Sequence, residues 1–179
     1  MGNRSILFYE LAGIIFIILF GSLLHFTFEW SGRQIAVGVF SAVNESVWEH
    51  LKLGFWPAIA FALFEFSQLR RVANNFLLAK TVGICLIPTV IVVIFYSYTT
   101  IIGESLLVVD ILTFILAVII GQAASYKLMM FKPLPSKLNV LSIVVLLLLG
   151  FAFLFFTFYP PALPLFQDPV TGGYGIINH

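Results

Sequence analysis

Charge is the scarcest commodity in this chain. Lys, Arg, Asp and Glu make up 9% of its 179 residues, whereas a soluble domain carries about 25%. So few charges cannot cover a water-facing surface, which excludes an ordinary soluble globule. No basic excess exists either. The net charge of +1 excludes the electrostatic footprint of a nucleic-acid binder. Cysteine occurs once, as Cys85 within an apolar run, and this rules out an intramolecular disulfide and a thiolate metal cage. Histidine is limited to His25, His50 and the terminal His179, so neither H-E-x-x-H nor H-x-x-x-H is present. Internal repeats and low-complexity segments are also missing.

Apolar residues fill the space left by charge. They make up 61% of the chain, and the mean hydropathy is +1.09. Gaps between charges divide the chain into spans of about 20 residues, the length that crosses a bilayer as a helix. The sequence predicts an all-α integral membrane bundle in a single domain covering 1–179. Its five transmembrane helices are expected near 6–28, 47–69, 80–101, 105–126 and 138–159, with a tail over 160–179. The first span is longer than a secretory signal core and no small-x-small cleavage site follows it, so it is expected to be retained. Pro88 predicts a kink in the third span. The apolar piece Ile35 to Val43 is too short to cross and predicts a re-entrant or interfacial segment before the second span.

Orientation follows from the basic residues. Arg70, Arg71 and Lys80 fall between the second and third spans, and Lys127, Lys132 and Lys137 between the fourth and fifth. The connection near Thr99 to Glu104 has none, and neither does the tail. Excess Lys and Arg mark cytoplasmic loops, so the N-terminus is expected inside the cytoplasmic membrane and the C-terminus outside. His25, Glu29, Asn44, Glu45, Glu49, His50, Lys52, Glu104, Asp110, Asp168 and Tyr174 then all fall on the outer side. Asp110 lies about 9 Å into its helix at 1.5 Å per residue. The expectation is an acidic polar chamber opening outward.

The densest polar stretch is Asn44-Glu45-Ser46-Val47-Trp48-Glu49-His50-Leu51-Lys52. Ionisable groups at membrane depth are costly and mark functional sites. Part of this stretch has a local role: Ser46-Val47-Trp48-Glu49 matches the capping box that opens a helix. Lys52 can pair with Glu49 one turn earlier, and Trp30 and Trp48 suit an interfacial aromatic belt. His25 and Glu29, four residues apart, share one helix face. Two imidazoles with carboxylates suit Zn²⁺, Fe²⁺ or Mn²⁺. The expected metal ligands are therefore His25, Glu29 and His50, and the expected catalytic groups are Glu45, Glu49 and His50, with a free Glu as general base. Asn44, Ser46, Lys52, Glu104, Asp110, Asp168 and Tyr174 complete the polar site.

The tail is rich in proline and glycine. Pro160, Pro161 and Pro164 stiffen its start. The run from Gln167 to Gly175 reads as consecutive turns, and the expectation is a lid over the outer chamber. Glu65 is expected to pair with Arg70 or Arg71, and Glu10 has no obvious partner.

Taken together, His25-Phe26, Glu29-Trp30, the Asn-Glu-Ser-x-Trp-Glu-His stretch at 44–50 and the Pro160-to-Gly175 tail resemble a family of small bacterial multi-pass membrane proteins of unknown function. The resemblance covers nearly the whole chain. It implies a bacterial membrane protein and carries no particular activity. The residues themselves point first to a membrane-embedded enzyme, metal-dependent and acting on a lipid or lipid-linked substrate. The alternatives are a cation- or proton-coupled transport component with Glu45 and Asp110 as carriers, or a structural subunit of a membrane complex. The expected partners are the lipid bilayer and another membrane protein or a second copy, with no nucleic acid.

Overall fold

A computed structural model describes residues 2–176. Six helices follow one another: α1 (Gly2–Trp30), α2 (Ile35–Gly38), α3 (Val47–Leu69), α4 (Phe76–Ile102), α5 (Leu107–Met130) and α6 (Lys137–Phe158). A single 3₁₀ turn, Pro164–Phe166, lies in the tail. No strand is present among the described residues, and one isolated bridge joins Gln167 to Tyr174. His179 lies outside the described residues.

Among the described residues, four helices are long and apolar enough to cross a membrane: α1 (from Arg4), α4, α5 and α6. The sequence predicts five spans, and α3 is the difference. It is 23 residues long, about 34 Å at 1.5 Å per residue, but it carries Glu49, Lys52 and Glu65. All three are buried inside the protein. Helix α3 packs on α1, α4 and α6 and receives the 3₁₀ turn of the tail. The charged side chains of the most polar helix are thus turned into the bundle. This reverses the soluble pattern, since apolar side chains such as Leu63, Leu107, Leu147 and Phe151 face outward.

The core forms along α3. Leu51, Phe55 and Ala58 meet Ile17 of α1, Ile84, Ile87 and Ile91 of α4, Ala117 and Val118 of α5, and Phe153 of α6. Helices α4 and α5 approach closely at two glycines. A Cβ on Gly83 would lie 2.6 Å from the Gly121 carbonyl oxygen, and one on Gly121 would lie 2.6 Å from that of Gly83. Lipid tails are as apolar as leucine, so close backbone packing of this kind is what drives helices together in a bilayer.

The piece expected to be re-entrant or interfacial contains only the single turn α2. The chain leaves α1 through Gly32 and Arg33, both at positive φ (71° and 62°), and returns along the end of α1. Ser41 is fully buried and pins this return. It donates to the Leu24 carbonyl (2.5 Å), accepts from the Phe28 amide (3.0 Å) and lies 3.0 Å from Thr27 Oγ1. Trp56 Nε1 donates to the Val39 carbonyl at 3.1 Å. Trp48, expected in an interfacial belt, instead packs among Phe153, Phe156 and Phe166.

Candidate functional site

Ser46 opens α3 as its N-cap, with its hydroxyl accepting from the Glu49 amide at 3.4 Å. The second half of the expected capping box does not form. The Ser46 amide donates to Asn44 Oδ1 at 2.8 Å, while the Glu49 side chain reaches past it to the Val43 amide at 3.0 Å. Asn44 also donates from Nδ2 to the Gly175 carbonyl at 2.8 Å. One asparagine thus fixes both the turn before α3 and the returning tail.

This turn carries Glu45 to the end of α1 and presents His50 one turn into α3. His25 Nε2 lies 3.2 Å from His50 Nε2. Glu45 Oε2 lies 3.7 Å from the first and 3.4 Å from the second. The three side chains could hold a metal ion, each offering one ligand atom within 4.8 Å of the others. His50 is oriented from behind, because its Nδ1 lies 2.8 Å from the Ser46 carbonyl oxygen. A proton on Nδ1 satisfies that contact and leaves the Nε2 lone pair facing His25, the arrangement that ligating histidines use. The imidazoles of His25 and then His50 hold the Glu45 carboxyl well below the usual carboxylate range, against a weaker opposing effect of burial. Glu45 is therefore ionised at neutral pH. Its side chain is 49% exposed, and those of the two histidines 31% and 32%, so the triad is open to solutes.

Glu29 was the expected third ligand, but its carboxylate sits 3.4 Å from Arg33 Nε in an exposed pair one turn on. Glu45 stands beside the histidines instead. Glu49, one of the expected catalytic groups, is engaged elsewhere. Its Oε2 lies 2.6 Å from Lys52 Nζ and accepts from the Val43 amide, and its Oε1 lies 3.4 Å from Thr157 Oγ1. The remaining hydrogens of Lys52 go to the Gly38 carbonyl and to Thr157 Oγ1, both at 2.8 Å. All three ammonium donors are thus used, and the pair ties α2, α3 and α6 together and holds the 38–43 segment that leads to Glu45.

The other expected site residues form separate groups. Asp110 accepts a short hydrogen bond from Tyr98, whose oxygen also accepts from the Leu106 amide. This closes the α4–α5 connection, where Glu104 lies exposed. Asp168 is buried and folds the tail on itself, accepting from the Val170 amide (2.9 Å) and from Thr171 Oγ1 (2.7 Å). Tyr174 bridges to Gln167. Phe166 buries its ring against Trp48 with centroids 4.8 Å apart. The tail therefore packs on the start of α3, beside the triad.

Sequence reasoning passed over a second polar group, at the opposite end of the bundle. Lys80 was counted as a loop cation but is buried in α4. Its Nζ lies 2.8 Å from Glu10 Oε1 and in close contact with Glu65 Oε2. Glu65 was expected to pair with Arg70 or Arg71. It pairs with Lys80 because four residues back into α3 place it inside the bundle rather than at its rim.

No curated protein and no solved structure matches the chain. A family model does match, over residues 4–176: the chain belongs to DUF6512, a family of unknown function.

Proposed function

We propose that this is a five-span protein of the bacterial cytoplasmic membrane. In this reading it holds a divalent metal at its outer face and hydrolyses a lipid or lipid-linked substrate. One observation carries the metal. At bond lengths of 2.0–2.1 Å, the ligand atoms of a tetrahedral Zn²⁺ are about 3.3 Å apart. The edges of the His25–His50–Glu45 triangle are 3.2, 3.4 and 3.7 Å. Three protein ligands leave a fourth position open, as catalytic zinc sites do. The ion would supply Lewis acidity toward an ester or phosphate oxygen and activate a water. The chain's own part is to fix the triad. Ser46 orients His50, Asn44 sets the turn that carries Glu45, and the closed Glu49–Lys52 pair holds the segment that leads into that turn.

The membrane reading rests on the four apolar helices and on the burial of every charged side chain of α3, which lets a fifth crossing avoid lipid. Arg70 and Arg71 mark one inner connection, and Lys132 and Lys137 the other. The triad then lies at the outer end of α1, beside the exposed rings of Phe26 and Trp30. A substrate with an acyl chain in the bilayer would reach it without leaving the membrane.

Elemental mass spectrometry on protein purified in mild detergent tests the metal. About one Zn, Fe or Mn per chain is expected, lost in His25→Ala and His50→Ala. A chain without metal, even after growth in supplemented medium, sinks the proposal.

A further inference from the structure

The Glu10–Lys80–Glu65 group does not balance in charge. Two carboxylates face one ammonium. Exposures of 2%, 3% and 0% for Glu10, Lys80 and Glu65 leave the three almost no contact with solvent. The groups facing them from the packed helices are Ser125 and Gln122 of α5. Ser125 Oγ donates to Glu10 Oε1 at 2.8 Å, and Gln122 Nε2 lies 3.4 Å from the Glu10 backbone oxygen. Neither carries charge. Three carboxylate oxygens, Glu10 Oε2 and both of Glu65, are buried with no hydrogen-bond partner, and of these only Glu65 Oε2 touches the Lys80 ammonium. An ionised oxygen left bare in a buried site is far more costly than a neutral carboxyl.

We propose that Glu10 and Glu65 hold one exchangeable proton between them, which makes this end of the bundle a proton-binding site. The proton brings the group to neutrality with Lys80. It also converts one bare carboxylate oxygen into a hydroxyl. The exchange is the simplest possible, carboxylate plus proton giving carboxylic acid, with water at the mouth of the bundle as source and sink. The site is independent of the metal reading. It shares only helices with the triad, since Glu10 and His25 lie fifteen residues apart on α1, and His50 and Glu65 fifteen apart on α3. At 1.5 Å per residue that separation is about 22 Å.

Infrared spectroscopy of the full chain in lipid at neutral pH tests this directly. The wild type should show the carbonyl stretch of an un-ionised carboxylic acid, shifting in D₂O. The band should vanish in Glu10→Gln and in Glu65→Gln, because either change leaves a single carboxylate paired with Lys80. No such band in the wild type, or a band that survives both substitutions, overturns the proposal. Thermal unfolding provides a second reading. Each single variant should stay within about 4 °C of the wild type, because a neutral amide replaces the neutral member of the pair. The double variant should fall much further, with Lys80 buried alone. A large rise in either single variant would mean that both carboxylates are ionised. A sodium-specific rise in the wild type, absent in Glu65→Gln, would assign the missing charge to a metal cation. Either result rejects the shared proton.

Discussion

Helices α1 and α3 each carry a histidine near one end of the bundle and a glutamate fifteen residues away, yet the two ends are built on opposite principles. At the histidine end, Glu45, His25 and His50 are a third to a half exposed, and their ligand atoms converge with no cation among them. At the other end, Glu10 and Glu65 are sealed in and already share the Lys80 ammonium. Exposure opens the first group to solutes. Burial restricts the second to what can pass between packed helices. The intermediate case is Glu49–Lys52, equally buried but with every ammonium hydrogen and both carboxylate oxygens engaged. Burial alone therefore does not single out a functional group here. What separates Glu10–Lys80–Glu65 from Glu49–Lys52 is the surplus carboxylate and its unmatched oxygens.

That comparison breaks most visibly at Lys80. Lys80→Met would leave the Glu10–Glu65 pair, with its one shared proton, in the bundle without a counter-charge. Removing one partner of a buried pair costs about 3–5 kcal/mol, and here both side chains lose their contact with the ammonium, so a drop at the top of that range or failure to fold is expected on thermal unfolding in detergent. Lys52→Met strands one carboxylate, Glu49, and should cost about 3–5 kcal/mol. It should also lower metal occupancy, because Lys52 holds the Gly38 carbonyl and with it the return toward Glu45. Stability unchanged in Lys52→Met would show that the pair does not hold that return.

Acid should separate the two ends in the other direction. A metal competes with protons for its ligands, and histidine is the side chain that most readily changes charge near neutrality. Lowering the pH from 8 to 5 should release the metal while Glu45 stays ionised, and raising it again should restore binding. Dialysis followed by elemental analysis across pH 5 to 8, a range set by imidazole, reads this directly. Metal content independent of pH over that interval would argue against two histidine ligands.

The fold was legible where its physics is local. Runs of apolar residues gave α1, α4, α5 and α6 to within a few residues, because span length is set by the bilayer and needs no tertiary information. The polar stretch at 44–52 and the histidine at the end of α1 were legible for the same reason, since charge among apolar residues stands out wherever it falls. Partners were not legible. Helical spacing joins Glu29 to His25 but cannot show that Glu29 turns toward Arg33, or that a turn made by Asn44 brings Glu45 across. Ser41, which fixes that return, sits in a sequence with no distinguishing feature. Glu10, Glu65 and Lys80 come from three helices up to 70 positions apart, and the rule that assigns basic residues to loops actively misplaces Lys80.

The smallest expected effect tests that last distinction most sharply, because the two candidate third ligands are chemically identical. Glu29→Gln removes an exposed pair with Arg33 that contributes no more than about 1 kcal/mol, and it should leave metal content at the wild-type level. Glu45→Gln keeps the shape but replaces an anionic oxygen donor with a neutral amide, and metal binding should weaken while the unfolding midpoint moves little, given how exposed this side chain is. The reverse pattern, metal lost in Glu29→Gln and kept in Glu45→Gln, would mean that helical spacing rather than the Asn44 turn selects the ligand. In that case the end of α1 would have to rotate Glu29 away from Arg33 when metal binds.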